Sequence, residues 1–128
     1  MYILFSFSEG WYARDRKESL EEFDSRSMHV VEWIWALREE QSLAGLILVA
    51  HGNLISSVLS GLLTNEPKSC LFVHHNCGVT HVKLTSAGNR GKRLAVMQSM
   101  DRVDHLASTL LSGADLVNDH WVQEFISF

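Results

Sequence analysis

The 128-residue sequence predicts an α/β domain. Three consecutive features carry this prediction: an amphipathic helix that ends before Gly45, an apolar run over residues 46–50, and a second apolar helix after His51. The apolar run is continuous rather than alternating, which is typical of a strand covered on both faces, as in a parallel sheet. The order helix, buried strand, tight turn and helix is that of α/β folds.

The first helix has two possible starts. Ser19 with Glu22 forms a capping box, and Asp15 with Glu18 offers another one turn earlier. Apolar residues then recur at helical spacing and form a face wide enough to pack on a sheet; they are Leu20, Phe23, Val30, Val31, Ile34 and Leu37.

The C-terminal half is richer in β-like patterns. Residues 78–85 alternate loosely, residues 93–100 form a second strand pattern, and a turn over 86–91 lets the two pair as a hairpin. Residues 104–111 suggest a short helix, and the amphipathic tail over 121–128 is left unassigned. The chain has no internal repeat, low-complexity stretch or linker, so a single domain spans residues 1–128.

Composition and charge exclude several classes of protein. The sequence is 46% hydrophobic and 20% charged, which predicts a buried core. The net charge is -4 and there is no block of Lys and Arg, which argues against a nucleic-acid partner. No apolar run reaches the ~20 residues of a membrane helix. The apolar start lacks a basic region and a cleavage site, and only Cys70 and Cys77 are cysteines, so we expect a cytoplasmic protein.

His51 and Gly52 stand between the predicted strand and the second helix. Ligands of open α/β sheets lie beyond the carboxyl ends of strands. A helix that starts there offers free N–H groups and the positive end of its dipole, which suit a phosphate. Gly52 allows close backbone approach, and the His51 imidazole can donate a hydrogen bond to a phosphoryl oxygen. On position alone, a histidine that merely fills the corner is an equal alternative.

Five segments carry a resemblance to a known family. Residues 46–55, Leu-Ile-Leu-Val-Ala-His-Gly-Asn-Leu-Ile, resemble the second histidine motif of the histidine phosphatase superfamily, also called phosphoglycerate mutase-like. Residues 18–26 resemble the Glu-Ser…Arg helix that precedes this motif. Three further segments resemble one eukaryotic and microbial branch of the superfamily: residues 10–14, 76–80 and 102–106. All five occur in the family's order along the chain, and the ordered set is more specific than any one segment.

The resemblance implies a three-layer α/β/α fold with a mixed, mostly parallel sheet. It also implies a phosphomonoesterase or mutase that acts on a small phosphorylated molecule. In such enzymes one histidine, in an Arg-His-Gly motif, accepts the phosphoryl group. A second histidine, together with arginines, stabilises the transferring oxygens, and a carboxylic acid protonates the leaving oxygen. Neither a metal nor a redox cofactor is implied.

The sequence departs from this pattern because it contains no Arg-His-Gly. Of its seven histidines only His51 is followed by glycine, and Ala50 precedes it. The resemblance therefore gives His51 the catalytic role of the second histidine, with phosphate bound by the N–H groups of Gly52 and Asn53. We expect the chain to be the C-terminal part of a truncated domain and to be inactive without a nucleophilic histidine.

A second hypothesis follows from the same departure. In the family the absent strand lies beside the strand at residues 46–50, so its loss would expose backbone groups and apolar side chains there. We expect the chain alone to be marginally stable or prone to aggregate unless a second copy pairs with it. The alternative function is thus an inactive family member that acts as a binding module or as a homodimerisation module.

Three polar residues are further site candidates, each with a structural alternative. Asn76 is a candidate substrate ligand at the pocket rim, although asparagine also favours turns. Glu18 is a candidate substrate ligand or general acid, although a carboxylate in the first turn of a helix is commonly structural. Glu9 is another candidate acid, with a plain loop residue as its alternative.

A cluster of cysteines and histidines lies within twelve residues of the chain. Cysteine and histidine are the residues that bind zinc. Their spacing, however, fits no closed zinc motif, so the sequence favours surface and loop positions over a metal site; the residues are Cys70, His74, His75, Cys77 and His81.

Overall fold

The structure is a computed structural model that describes residues 18–40, 45–87 and 92–111. Two helices precede an antiparallel hairpin, and a 3-10 turn follows it. The elements are α1 (Leu20–Glu39), α2 (Gly52–Thr64), β1 (Val79–Ala87), β2 (Lys92–Arg102) and the 3-10 turn Ser108–Leu110. The residues predicted at 1–17 and 121–128, Glu9 among them, lie outside the described part of the chain.

Helix α1 begins at the capping box that the sequence predicts. The Ser19 hydroxyl accepts a hydrogen bond from the Glu22 backbone N–H at 3.2 Å, and the Glu22 carboxylate accepts one from the Ser19 N–H at 2.9 Å. Both bonds satisfy donors that the first turn of a helix otherwise leaves unpaired. Arg38 in the last turn complements the negative end of the helix dipole.

The core lies where α1 crosses α2. Val31, Ile34 and Trp35 of α1 pack with Val58 of α2, and Trp35 is only 2% exposed. Gly61 of α2 allows this close approach. A Cβ atom at Gly61 would lie 2.8 Å from Val31 Cγ2 and 2.9 Å from Met28 Sδ, which is closer than van der Waals contact permits.

The hairpin of β1 and β2 is the one the sequence predicts. Its register pairs Leu84 with Ala95, and both side chains pack against the helical core. The register shifts between Val79 and Val82, as in a β-bulge. The regular part of the hairpin therefore packs on the helices. The irregular part consists of the start of β1 and the end of β2.

Two arginines tie the hairpin to α1. Arg93 of β2 donates to Glu39 at 2.8 Å and to Glu32 at 2.7 Å, and its guanidinium lies over the Trp35 ring. Arg38 of α1 donates to the Leu84 carbonyl of β1 at 3.1 Å. One of these arginines lies on the hairpin and the other on α1. Together their contacts hold the hairpin against α1.

The 46–50 segment is not the buried strand that its sequence predicts. It has no strand partner in the described ranges, where the only sheet is the hairpin. Exposure alternates along it: Leu46 is 37% exposed, Ile47 80%, Leu48 41% and Val49 90%. A continuous apolar run is buried only when strands flank it on both sides, and the described chain supplies none, so the prediction is wrong here.

Two further predictions need correction. The helices and the hairpin agree with an α/β class, but no parallel strand pair occurs among the described residues, so a mostly parallel three-layer sheet is not supported. Residues 104–111 form no α-helix but only the 3-10 turn, because a helix this short needs packing to persist, and Leu110 is 68% exposed. No helix within residues 18–40, 45–87 or 92–111 is long and apolar enough to cross a membrane.

The helix crossing yields a stability prediction. Gly61→Ala should lower the free energy of unfolding by up to about 2 kcal/mol, because an overpacking cost of about 1–3 kcal/mol is offset by a gain in helix propensity of about 1 kcal/mol. Urea unfolding followed by circular dichroism measures the change. In a Val31→Ala background the substitution should cost less, because the space that the new methyl needs is open. An equal loss of unfolding free energy in the two backgrounds would contradict the contact between Gly61 and Val31.

Candidate functional site

His51 lies at the N-terminal end of α2. It is the N-cap residue, and its carbonyl accepts the hydrogen bond of the Ile55 N–H at 3.0 Å. Its side chain makes no capping bond and the residue is exposed, so the imidazole is accessible to a ligand. The first turn of α2 contains no acidic residue. The positive end of the helix dipole is therefore not neutralised from within the helix.

Gly52 and Asn53 form the first residues of α2. The N–H groups of a first helical turn have no partner within the helix, and they point in the direction in which a bound anion would lie. Gly52 is half-buried and Asn53 is exposed. The structure thus brings the three residues predicted for phosphate binding to one helix end.

Three fully buried serines of α2 hold the loop that follows the helix; they are Ser56, Ser57 and Ser60. Ser60 Oγ donates to the Glu66 carbonyl at 2.6 Å and accepts from the Cys70 N–H at 3.1 Å. Ser57 Oγ donates to the Pro67 carbonyl at 3.0 Å. We call residues 66–72 the serine-bound loop.

The serine-bound loop lies along α2. Cys70 is bonded to Ser60, and Phe72 donates its N–H to Ser56 Oγ at 2.9 Å. The loop is therefore held against α2 at both of its ends, and Phe72 is held at the buried serine nearest to the start of the helix.

His74 follows the serine-bound loop and is buried. It is 8% exposed, and its ring bonds the Phe72 carbonyl through Nδ1 at 3.2 Å and Thr80 Oγ1 through Nε2 at 2.6 Å. Because a carbonyl only accepts, Nδ1 carries a proton. Thr80 Oγ1 also accepts the Asp101 N–H at 2.9 Å. His74 therefore links the serine-bound loop to the start of β1 and the end of β2.

His75 and Asp101 form a close pair beside it. Asp101 Oδ1 accepts the His75 backbone N–H at 2.9 Å, and Asp101 Oδ2 lies 2.6 Å from His75 Nδ1. The two side chains are 25% and 15% exposed. The carboxylate thus holds both the backbone and the ring of His75, which is how an acidic residue sets the tautomer and orientation of a histidine.

The backbone around the pair adopts unusual conformations. Asp101 has φ 48° and Cys77 has φ 62°, both in the left-handed region. Gly78 donates its N–H to the His75 carbonyl, and a Cβ at Gly78 would lie 2.0 Å from Asp101 Oδ1. Only glycine fits there. The turn over residues 75–78 is therefore wrapped closely around the Asp101 carboxylate.

Two of the further site candidates from the sequence, Glu18 and Asn76, lie where a structural role accounts for them. Glu18 accepts two hydrogen bonds of 2.9 Å from Arg26 at the start of α1, and these bonds raise the pKa of Arg26. Asn76 is exposed in the turn between His75 and Gly78. Both positions agree with the structural alternatives, and a role in substrate binding remains a prediction for each.

The cysteine and histidine cluster does not converge on a point. Cys70 and Cys77 are free and exposed, whereas His74 and His75 are engaged in the bonds described above. Across the described ranges, no group of three or more Cys, His, Asp or Glu residues is arranged to hold a metal ion.

Residues 2–96 match the family model of the histidine phosphatase superfamily, branch 1. The chain belongs to the histidine phosphatase superfamily. Neither the curated proteins nor the solved structures yield a match. The resemblance seen in the sequence is confirmed at the level of the superfamily, and the match includes His51, the serine-bound loop and β1.

The pair of His75 and Asp101 is a feature of this superfamily member that the sequence does not reveal. The two residues are 26 positions apart, and Asp101 lies beyond the matched range. No sequence motif of fixed spacing links these two residues. The one local signal is Gly78, and a glycine two residues after Asn76 is equally typical of an ordinary turn.

The serine-bound loop yields a second prediction. Ser56→Ala should lower the free energy of unfolding by about 1–3 kcal/mol, because the Phe72 N–H is left without its acceptor. Ser69→Ala is the matched control: Ser69 bonds only the Glu66 carboxylate at an exposed position, so its loss should stay within about 0.5 kcal/mol. Chemical denaturation compares the two variants. Equal costs would show that the Ser56 bond does not anchor the loop.

Proposed function

We propose that this protein takes part in phosphoryl transfer on a small phosphorylated molecule, as a phosphomonoesterase or mutase. His51 is the residue that holds the transferring phosphoryl group. The observation that supports this most is the placement of His51. It is an exposed histidine at the un-neutralised N-terminal end of a helix, in a member of the histidine phosphatase superfamily.

The proposed role of His51 is electrostatic. Its imidazole donates a hydrogen bond to a phosphoryl oxygen, and the N–H groups of Gly52 and Asn53 donate to the others. Donors that are already in place stabilise the charge that develops on these oxygens during transfer. No cofactor is needed for this chemistry, and Asn76 is a further proposed ligand at the rim of the site.

The nucleophile is not assigned to a residue of this chain, because the sequence contains no Arg-His-Gly. Transfer through a phosphohistidine, which the superfamily resemblance implies, is proposed for the full-length protein. The chain itself is proposed to bind and stabilise the phosphoryl group. Its two free, exposed cysteines agree with a reducing compartment, and we propose the cytoplasm.

Binding of inorganic phosphate tests the role of His51. His51→Ala should weaken binding at least about tenfold, the equivalent of one hydrogen bond to a charged group. Titration calorimetry of the full chain measures the dissociation constant. His29→Ala, at an exposed position of α1, is the control and should bind as the unaltered chain does. Equal affinity for the His51 variant and the control would remove His51 from the site.

A second candidate function is homodimerisation through the 46–50 segment. Its backbone has no strand partner in the described ranges, and Ile47 and Val49 are 80% and 90% exposed. Open, apolar, uncharged strand edges pair readily with other chains. Residues 45–50 carry no charge, so two copies can align them antiparallel without repulsion. The occupant we propose for this edge is therefore a second copy of the chain.

The dimer hypothesis predicts a concentration-dependent size. Sedimentation velocity of the unaltered chain should show a dimer that the double variant Ile47→Lys, Val49→Lys abolishes, because it places two like charges on each edge. Leu110→Lys, at another exposed apolar residue, is the control and should still dimerise. A monomer with a sharp, cooperative thermal transition at every concentration would contradict both the dimer and the marginal stability expected of the isolated chain.

A further inference from the structure

We propose that the irregular end of the hairpin forms an anion site, which takes the phosphate or carboxylate group of a small molecule. A cavity of about 290 Å³ lies there. The proposed function at His51 uses none of the residues that line it, and it leaves the segment 102–106 without a role. The lining comes from β1, from β2 and from the turn after β2; the residues are Val79, His81, Ser99, Arg102, Asp104 and His105.

A register shift brings the strand residues of this cavity to one side of the hairpin. Val79 pairs with Arg102 and His81 pairs with Ser99, so two steps along β1 correspond to three steps along β2. Side chains alternate along a strand, and residues three apart ordinarily face opposite sides of a sheet. The extra residue of a bulge removes this mismatch, and bulges commonly re-aim side chains beside binding sites. Asp101, with φ 48°, lies within this stretch of β2.

The turn after β2 completes the lining. Leu106 donates its N–H to the Val103 carbonyl at 2.8 Å, so Asp104 and His105 are the central residues of a turn. Hydrogen bonds from Arg102 lower the pKa of Asp104 most, and the charge of His105 acts in the same direction. The turn therefore places an imidazole close to the ion pair at the end of β2.

Arg102 is held with one edge of its guanidinium still open. Nε and Nη2 donate to the two carboxylate oxygens of Asp104 at 3.0 and 2.6 Å. A guanidinium has five N–H groups, and within residues 18–40, 45–87 and 92–111 no other acceptor bonds the remaining three. These three lie on the edge between Nη1 and Nη2, which can pair with two oxygens of a phosphate or carboxylate. Asp104 thus fixes the plane of the guanidinium and leaves a bidentate donor for a second anion.

The imidazoles decide the net charge of the cavity. The charges of Arg102 and Asp104 cancel, and these are the charged residues of the lining besides the two histidines. His81 and His105 are exposed, and histidine gains a positive charge between about pH 8 and 5. Even a neutral imidazole keeps one N–H donor, and the Ser99 hydroxyl supplies another.

The size and the side chains of the cavity favour a small anion over other ligands. Its volume of about 290 Å³ is near the lower end of ligand pockets. In the described part of the chain, no three Cys, His, Asp or Glu side chains are arranged to hold a metal ion. The donors that do converge are the imidazoles, the guanidinium edge and the hydroxyl, which are the groups that bind oxyanions.

Sulfate titration of the 15N-labelled full chain, followed by imidazole nitrogen NMR, tests the site. Sulfate is the probe because it keeps its double negative charge across the pH range in which histidine titrates. At about pH 6, sulfate should shift the imidazole signals of both His81 and His105, which His81→Asn and His105→Asn identify one at a time. The shifts should persist in His51→Ala. If sulfate leaves both imidazoles unmoved, or moves them only while His51 is present, the inference is wrong.

The pH dependence of sulfate binding tests the role of the two imidazoles. Binding should be about tenfold tighter at about pH 6 than at about pH 8, because each added positive charge at roughly 6 Å in water contributes about threefold. The double variant His81→Asn, His105→Asn should lose this dependence, as followed by the Nε signal of Arg102. Equal affinity of the unaltered chain at both pH values would contradict the assignment.

Two substitutions test the open edge of Arg102. Arg102→Lys keeps a positive charge beside Asp104 but has no second planar edge, so it should weaken sulfate binding at least about tenfold. Asp104→Asn removes the negative charge while its amide oxygen still accepts from Arg102, so it should strengthen binding about threefold. Lys92→Gln, at the other end of β2, is the matched control and should change binding less than about twofold. Weaker binding in Asp104→Asn, or an equal loss in the control, would overturn the site.

Competition identifies the source of the anion. Methyl phosphate carries the phosphate group and acetate carries the carboxylate group, and either should displace sulfate from His81 and His105 if its class of compound is the ligand. Displacement by methyl phosphate at the lower concentration assigns the site to phosphate esters, and displacement by acetate at the lower concentration assigns it to carboxylic acids. If neither compound displaces sulfate, the cavity is not a site for small organic anions and the inference fails.

Discussion

The three buried serines of α2 are the constraint on which the course of the chain after this helix depends. The backbone groups of a loop that packs against a helix need hydrogen-bond partners where the helix covers them. Ser56, Ser57 and Ser60 supply such partners, and all three are fully buried. Their bonds hold residues 66–72 against α2, and His74 and His75 follow directly after this loop.

The segment before the N-terminal end of α2 is poorly covered by the rest of the described chain. The 46–50 segment leads directly into His51, yet four of its five residues are exposed to solvent and no described strand pairs with it. An apolar segment of this kind stabilises a protein only when something covers it. A partner for this segment, whether another copy or another part of a longer protein, would lie next to the N-terminal end of α2.

Features that depend on neighbouring residues could be predicted from the sequence of this chain. Features that depend on residues far apart in the sequence could not. The capping box depends on Ser19 and Glu22 alone, and the hairpin on alternation over short stretches, so both were predictable. The state of the 46–50 segment depends on a neighbouring strand, which its own residues do not encode. The pair of His75 and Asp101 depends on a fold that joins residues 26 positions apart. His51 could be proposed from sequence because its motif is contiguous.

Charge in the described chain favours imidazole and backbone donors over arginine for the phosphate. All four arginines in the described ranges are already engaged: Arg26 with Glu18, Arg93 with Glu32 and Glu39, Arg102 with Asp104, and Arg38 with a carbonyl of β1. Each of them would bind a phosphate only alongside a carboxylate or carbonyl partner. The N-terminal end of α2 has no such competitor in its first turn. A phosphoryl group bound there, as proposed, would gain helix N–H groups and imidazole hydrogen bonds without breaking existing pairs, even though the protein has a net charge of -4.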